Sequence, residues 1–392
     1  MKKLTLNALA FYLGILSAFS QSTPSDSGYT PKKLSVAEVN LVSGYYSQNG
    51  NHSAVTGGIG TEKLTDLSNT IDLKLVHFDK RAREHNLNLE VGLDHYTSAS
   101  SDKIDPYTIT SASYSDTRFY PSVGYSIKNT KGTTLGATAS FSNEFDYISK
   151  GFGVNIAKAS KDNNREFALK LQAYLDQWMV ILPVELRDFG KEEVYKPRNS
   201  YSASFTYSQV VNPRFQFILL ADLVTQKGLL GTSYQRVFFK DGSENYEHMP
   251  DSRFKIPLGI RANYFLSDRV IVRTWYRFYK DDWGVTAHTA DIELPIKINP
   301  FFSVSPFYRY YNQTAATYFA PYGAHNPSEQ FFTSDYDLSK FNSQFLGANV
   351  RFTPANGVLG IQHWNMLEVR YGHFMRSTDL NSNIVSLNLR FK

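Results

Sequence analysis

Leu87-Asn88-Leu89-Glu90-Val91-Gly92-Leu93-Asp94 alternates without a break between apolar side chains and polar or small ones. In an extended strand successive side chains point to opposite faces, so Leu87, Leu89, Val91 and Leu93 share one face while Asn88, Glu90 and Asp94 share the other. The pattern recurs along the chain. Ile71, Leu73 and Leu75 alternate with Asp72 and Lys74; Phe167, Leu169, Leu171 and Ala173 with Lys170, Gln172 and Tyr174; Val385, Leu387, Leu389 and Phe391 with Ser386, Asn388 and Arg390.

A soluble β-sandwich shows the same alternation, so segment length and loop pattern must decide. Many segments run about 10 to 14 residues, where strands of soluble sheets usually have about 5 or 6 and a tilted membrane strand needs about 9 to 11. Strands are predicted near 37–47, 69–79, 86–97, 116–128, 133–146, 151–159, 166–178, 200–210, 214–227, 254–266, 269–281, 285–298, 301–315, 343–353, 363–376 and 382–392, about sixteen in all. Connections after even-numbered strands are short and carry turn residues, as at Asn129–Gly132, Asp162–Asn164, Asn212-Pro213, Ser267-Asp268 and Asn299-Pro300. Those after odd-numbered strands are mostly long and polar: 48–68, 98–115, 179–199, 228–253 and 316–342. Short turns at one end and long loops at the other mark a closed, antiparallel, up-and-down transmembrane β-barrel, with both termini at the turn, periplasmic, end. Closure pairs every backbone donor and acceptor without water and leaves no sheet edge.

The N-terminus agrees. Met1-Lys2-Lys3 precedes an apolar run from Leu4 to Phe19, with small residues at Ala18 and Ser20 before Gln21, the layout of a secretory signal peptide cleaved after Ser20. Residues 21–35, rich in Ser, Thr, Pro and Gly, are expected to be a flexible periplasmic segment, and 36–392 the barrel. The chain has no cysteine, which excludes disulfides, thiolate metal sites and a lipid anchor on cysteine. Past the signal no apolar stretch approaches 18 residues, which excludes a helical membrane protein. With 26 Tyr and 28 Phe the aromatics are abundant enough for two girdles at the lipid–water boundaries. A net charge of +5 at a mean hydropathy of −0.35 gives no basic face or tail for nucleic acid. The expected partners are outer-membrane lipid, the barrel assembly machinery, which reads a last strand ending in Leu387, Leu389 and Phe391, and a periplasmic protein.

Asp94-His95-Tyr96-Thr97-Ser98-Ala99-Ser100-Ser101, Thr110-Ser111-Ala112-Ser113, Asp116 and Arg118, and later His288-Thr289-Ala290-Asp291-Ile292-Glu293-Leu294-Pro295 with Phe307-Tyr308-Arg309-Tyr310-Tyr311, resemble a bacterial family of outer-membrane β-barrels catalogued as a domain of unknown function, with Ser-Ala-Ser runs around its early strands. The resemblance spans the whole mature chain. It implies an outer-membrane location in a Gram-negative bacterium and a link to thioredoxin-like and flavin-transferring proteins, and it supplies no activity.

If the alternation holds, the inward series includes Arg261, Arg273, Arg277, Arg309, Arg370 and Arg390, with Glu90, Asp94, Asp291, Glu293 and Glu368 as counter-charges. Charges of both signs either line a water-filled lumen and set its selectivity or form a salt-bridge lattice that fills it. No Gly-x-Ser-x-Gly elbow and no His-Glu-x-x-His is present, so no catalytic residue, cofactor or metal site is expected. His52, His248 and His325 fall in predicted loops, where solvation is the ordinary state, and the only metal worth raising is calcium on loop carboxylates such as Asp335 and Asp337, which are ordinarily just solvated. The aromatic-rich loop 314–341 is expected to fold in as a constriction, to offer a contact surface, or to pack on the rim. A porin-like transport channel for small hydrophilic solutes is the first functional reading; the alternative is a non-conducting scaffold barrel docking periplasmic or surface partners.

Overall fold

The computed structural model describes residues 33–97, 115–187 and 194–392. The signal peptide, nearly all of segment 21–35 and the Ser-Ala-Ser runs lie outside the described residues. Within the described residues there are nineteen strands, in chain order β1 Ser35–Asn49, β2 Leu64–Phe78, β3 Glu84–Thr97, β4 Ser115–Lys128, β5 Thr133–Asn143, β6 Tyr147–Ala159, β7 Arg165–Val180, β8 Val194–Asn212, β9 Phe215–Gly228, β10 Arg236–Phe238, β11 Glu244–Tyr246, β12 Ser252–Phe265, β13 Ile271–Asp281, β14 Thr286–Glu293, β15 Ile296–Asn299, β16 Phe302–Gln313, β17 Phe341–Phe352, β18 Trp364–Arg376 and β19 Leu380–Phe391. Two of them, β10 and β11, form a separate hairpin.

Each remaining strand pairs antiparallel with its neighbours in sequence, β9 pairs with β12, and β19 returns to β1 with Val39 opposite Phe391 and Asn49 opposite Asn381. The sheet is therefore closed. Both β14 and β15 pair with β16, so they are one strand interrupted at Leu294-Pro295. Proline has no N–H to give the ladder, which makes such an interruption its natural place. The barrel thus has sixteen strands, as the sequence predicts. Several bounds differ: β2 starts at Leu64 instead of 69, β8 at Val194 instead of 200, β5 ends at Asn143 instead of 146, and the expected loop 228–253 contains the β10–β11 hairpin.

Alternation decides which face is which. Leu89, Val91, Phe119, Val123, Phe152, Val154, Leu171, Leu219, Leu258, Val369 and Leu387 stand exposed on the outside, every second residue of their strands. A surface so apolar is unstable in water and suited to hydrocarbon. On the inner face glycines let aromatic rings lie down. Tyr120 crosses Gly92, where a Cβ would come within 2.0 Å of the ring, and its hydroxyl donates to Asp94 at 2.8 Å. In the same way Phe345 lies against Gly372, and Phe307 against Gly347. The clusters of buried apolar side chains lie in the connections rather than the barrel strands, as Leu230, Met249 and Trp283 and as Val237, Phe239 and Phe332.

Candidate functional site: a charged lumen under a cap of loops

All eleven charged residues expected to face inward sit on the face opposite the exposed apolar positions, and they are unevenly shared. The wall from β12 to β19 carries all six of the expected arginines and, among them, Asp291, Glu293 and Glu368. Arg273 pairs with Glu293 at 2.9 Å, Arg309 with Asp291 at 3.1 Å, and Arg370 reaches the other oxygen of Glu293 at 3.3 Å. Glu368 is held by Arg351 at 2.6 Å, a partner the sequence reading missed. Arg390 donates to Asn365 at 2.9 Å. Arg261 lies 4.4 Å over the Trp275 ring and Arg370 3.9 Å over Phe307, so aromatic faces hold guanidinium groups that carboxylates hold elsewhere. Arg277 has no ion pair or hydrogen bond among the described residues. The opposite wall carries Glu90 and Asp94 with inward Ser, Thr and Gly, such as Ser122, Gly124, Ser126, Gly136, Thr138 and Ser140.

The loops after β1, β9 and β16 meet as one cap. His52 stacks on Tyr336 with centroids 3.7 Å apart, and its Nδ1 bonds the Gly58 carbonyl at 2.9 Å. Phe239 meets Phe332 edge to face at 5.0 Å. Trp283 and Tyr318 do the same at 6.1 Å. The loops are joined by polar contacts too: the Thr333 hydroxyl and the Thr232 N–H both donate to Glu247, a carboxylate only 6% exposed. Burial pushes that carboxyl up. His325, expected in solvent, is 1% exposed; its ring lies between the Thr333 carbonyl (2.9 Å) and Glu329 (2.6 Å), because the loop folds back on itself there. His248 is exposed, as expected of a loop histidine.

The segment from Asp335 to Leu338 spans the mouth of the barrel. Asp337 pairs with Arg376 on β18 at 2.5 Å, and with Asp335 it faces a cavity of about 510 Å³ also lined by Tyr96, Glu144, Trp178 and Arg198 of the opposite wall. Loop 314–341 packs on the neighbouring loops, and its segment 335–338 reaches in to Arg376 of β18 and lines that cavity. Burial drives the Asp335 carboxyl well above its usual range, with Asp337 and Glu247 adding to the push. Glu62, 3.7 Å from Arg376, rises to about 7, chiefly through burial.

A further acidic group was not legible: Asp116, Glu144 and Asp146, each with an oxygen within 4.8 Å of the others. They come from β4 and the β5–β6 turn, and nothing in their spacing announces the meeting. Tyr96 donates to Glu144 at 2.6 Å and Phe145 N–H to Asp116 at 3.0 Å, while burial lifts Asp146 to about 6. A broad depression of about 900 Å³ lies on the outer face among Val123, Phe152, Val154, Leu171, Ala203 and Leu223. It is apolar and offers no chemistry.

The family described as "Protein of unknown function (DUF3570)" matches residues 86–366. No curated protein matches the chain. Among solved structures, OccD3 (OpdP) of Pseudomonas aeruginosa is similar at 8% identity and a TM-score of 0.46, covering 94% of this chain and 95% of that one. A BenF-like porin from Pseudomonas fluorescens Pf-5 is similar at 11% identity and 0.43, covering 90% and 98%. CdiB from Acinetobacter baumannii is similar at 9% identity and 0.46, covering 90% of this chain and 60% of that one.

Proposed function

Since the chain belongs to the family described as protein of unknown function (DUF3570), whose description names no activity, we propose from the geometry that it is an outer-membrane channel for small hydrophilic solutes. The observation that carries this reading is the inner wall: its aromatics lie flat on glycines, and Arg261 and Arg277 face the lumen without a carboxylate partner among the described residues, where a filled lattice would neutralise them. Sixteen strands leave room for an aqueous path at this size. Arginines interleaved with carboxylates on one wall, facing a wall richer in small hydroxyl residues, line that path with charges of both signs that set a field across it. Segment 335–338 narrows it. No catalytic side chain is part of this reading.

Purified protein in a planar bilayer should give discrete conductance steps. Silence across a wide voltage range, from protein shown to be folded by its heat-dependent gel mobility, would remove the channel. Orientation has its own test: single cysteines in the loop 229–251 and at Asn299 should be labelled and unlabelled, respectively, by an impermeant reagent on intact cells. Equal labelling of both would contradict periplasmic termini.

The interlocked cap supports a second reading, a scaffold barrel whose closed mouth docks partners. Pull-down of one cell-surface protein by a barrel that never conducts is its expected signature.

A further inference from the structure

We infer that the lumen holds a subsite for a small monocarboxylate centred on Arg277; this rests on the reading of the lumen as a solute path and names the class of solute. Just beneath the cap is a cavity of about 320 Å³ whose lining includes Arg253, Arg277, Tyr279, Tyr311, Val285 and Leu338. Its cations are not equivalent. Arg253 is committed to the buried Asp281, its Nε donating at 2.9 Å, and lies 4.2 Å over Trp283. Arg376, nearby on β18, is taken by Asp337. Arg277 alone in this cavity has no carboxylate and no hydrogen-bond acceptor among the described residues.

The ladder explains why its guanidinium is accessible. Arg277 is opposite Gly259 on β12 and Thr289 on β14. A Cβ at Gly259 would meet only the Tyr276 carbonyl and Leu220, in ordinary contact at 3.6 to 3.8 Å, so Gly259 offers Arg277 no side-chain acceptor and Thr289 only a short one. A planar fork of donors open on its flanks is matched by a carboxylate, which takes two parallel bonds. The rest of the cavity limits the group attached to that carboxylate. Val285, Leu338 and the two tyrosine rings give a short non-polar tail surface to lie on. Asp337, also in the lining, opposes a second negative group, so a dicarboxylate is disfavoured.

Butyrate titrated calorimetrically at pH 7 into the folded barrel in detergent should bind saturably, with succinate and 1-butanol each at least tenfold weaker. Arg277→Gln should weaken butyrate at least tenfold and Arg277→Lys less, while Lys131→Gln, in the turn between β4 and β5, should bind as the unaltered protein does. Heat-dependent gel mobility checks that each variant is folded. Failure of butyrate to bind the unaltered barrel, equal affinity in Arg277→Gln, or succinate binding as tightly as butyrate would each overturn the subsite. A barrel that conducts but binds no butyrate removes the subsite and leaves the channel. One that binds butyrate and never conducts removes the channel and leaves the subsite.

Discussion

The barrel wall and the cap of loops use the same residue types in opposite ways. In the wall Leu171 is 47% exposed and stabilises because the medium outside is as apolar as itself. In the cap Phe332 is 5% exposed and stabilises as a side chain of a soluble protein does, by leaving water. The wall is held by ladders between strands adjacent in sequence. The cap is held by contacts between distant loops, as when Thr333 reaches Glu247 across 86 positions. One chain therefore carries two kinds of core, one turned inside out, and each should fail under a different insult.

The largest effect is expected in the wall. Leu89→Arg together with Leu171→Arg should abolish assembly, since each arginine costs about 2 to 4 kcal/mol near the bilayer midplane and the sites, on β3 and β7, do not touch. Membrane-inserted, heat-modifiable protein is the measure; normal yield would mean that this face does not meet lipid. Next comes the cap: Phe332→Ala removes a ring from a buried cluster and should cost about 3 kcal/mol. That cost should fall on the cap alone, so hydrogen exchange speeds up in 314–340 while the strands keep their protection. Uniform loss would show that wall and cap are one cooperative unit.

A smaller effect is expected from pH. Glu62 and Asp146 are raised by burial to about 7 and about 6, above the ordinary carboxylate range. Between that range and pH 7 the closed cap therefore binds more protons than an opened one, so its stability is fullest in acid and declines as pH rises through these values. Protection of 330–339, corrected for intrinsic exchange, should be lower at pH 8 than at pH 5.5, and Glu62→Gln should flatten the difference. An unchanged protection would argue that the opened cap shields these carboxyls equally. The smallest effects belong to Glu90→Gln and Lys170→Gln on the watered inner face, each within about 0.5 kcal/mol in refolding titrations; a loss like that of Leu89→Arg would reverse the assignment of faces.

The wall was legible because its information is local. Leu87 to Asp94 and Val385 to Phe391 declare their faces residue by residue, and the turns at Asn129 and Asp162 are written in the residue types that bend a chain. The break at Leu294-Pro295 could have been read from the proline. The cap was not legible: nothing around His325 signals that its own loop folds back over it, and nothing around Glu247 signals that Thr333 of a distant loop will reach it. The same holds in the lumen. Period two turned all the named arginines inward, but which would find a carboxylate depended on cross-strand register. That register leaves Arg277 opposite Gly259 while it sets Arg273 opposite Glu293.

The seam between β1 and β19 has a kinetic meaning. Its eleven paired positions, from Val39 with Phe391 to Asn49 with Asn381, join the most distant strands of the barrel. Every other ladder can zip as its two strands emerge side by side, whereas this one must gather a span of the whole sheet, and loop-closure entropy sets it last. Until then both rims are open templates for any other extended chain. A circular permutant that joins β19 to β1 by a short turn and opens at the β8–β9 turn would move that slow final step to a different pair of strands without altering the finished cylinder.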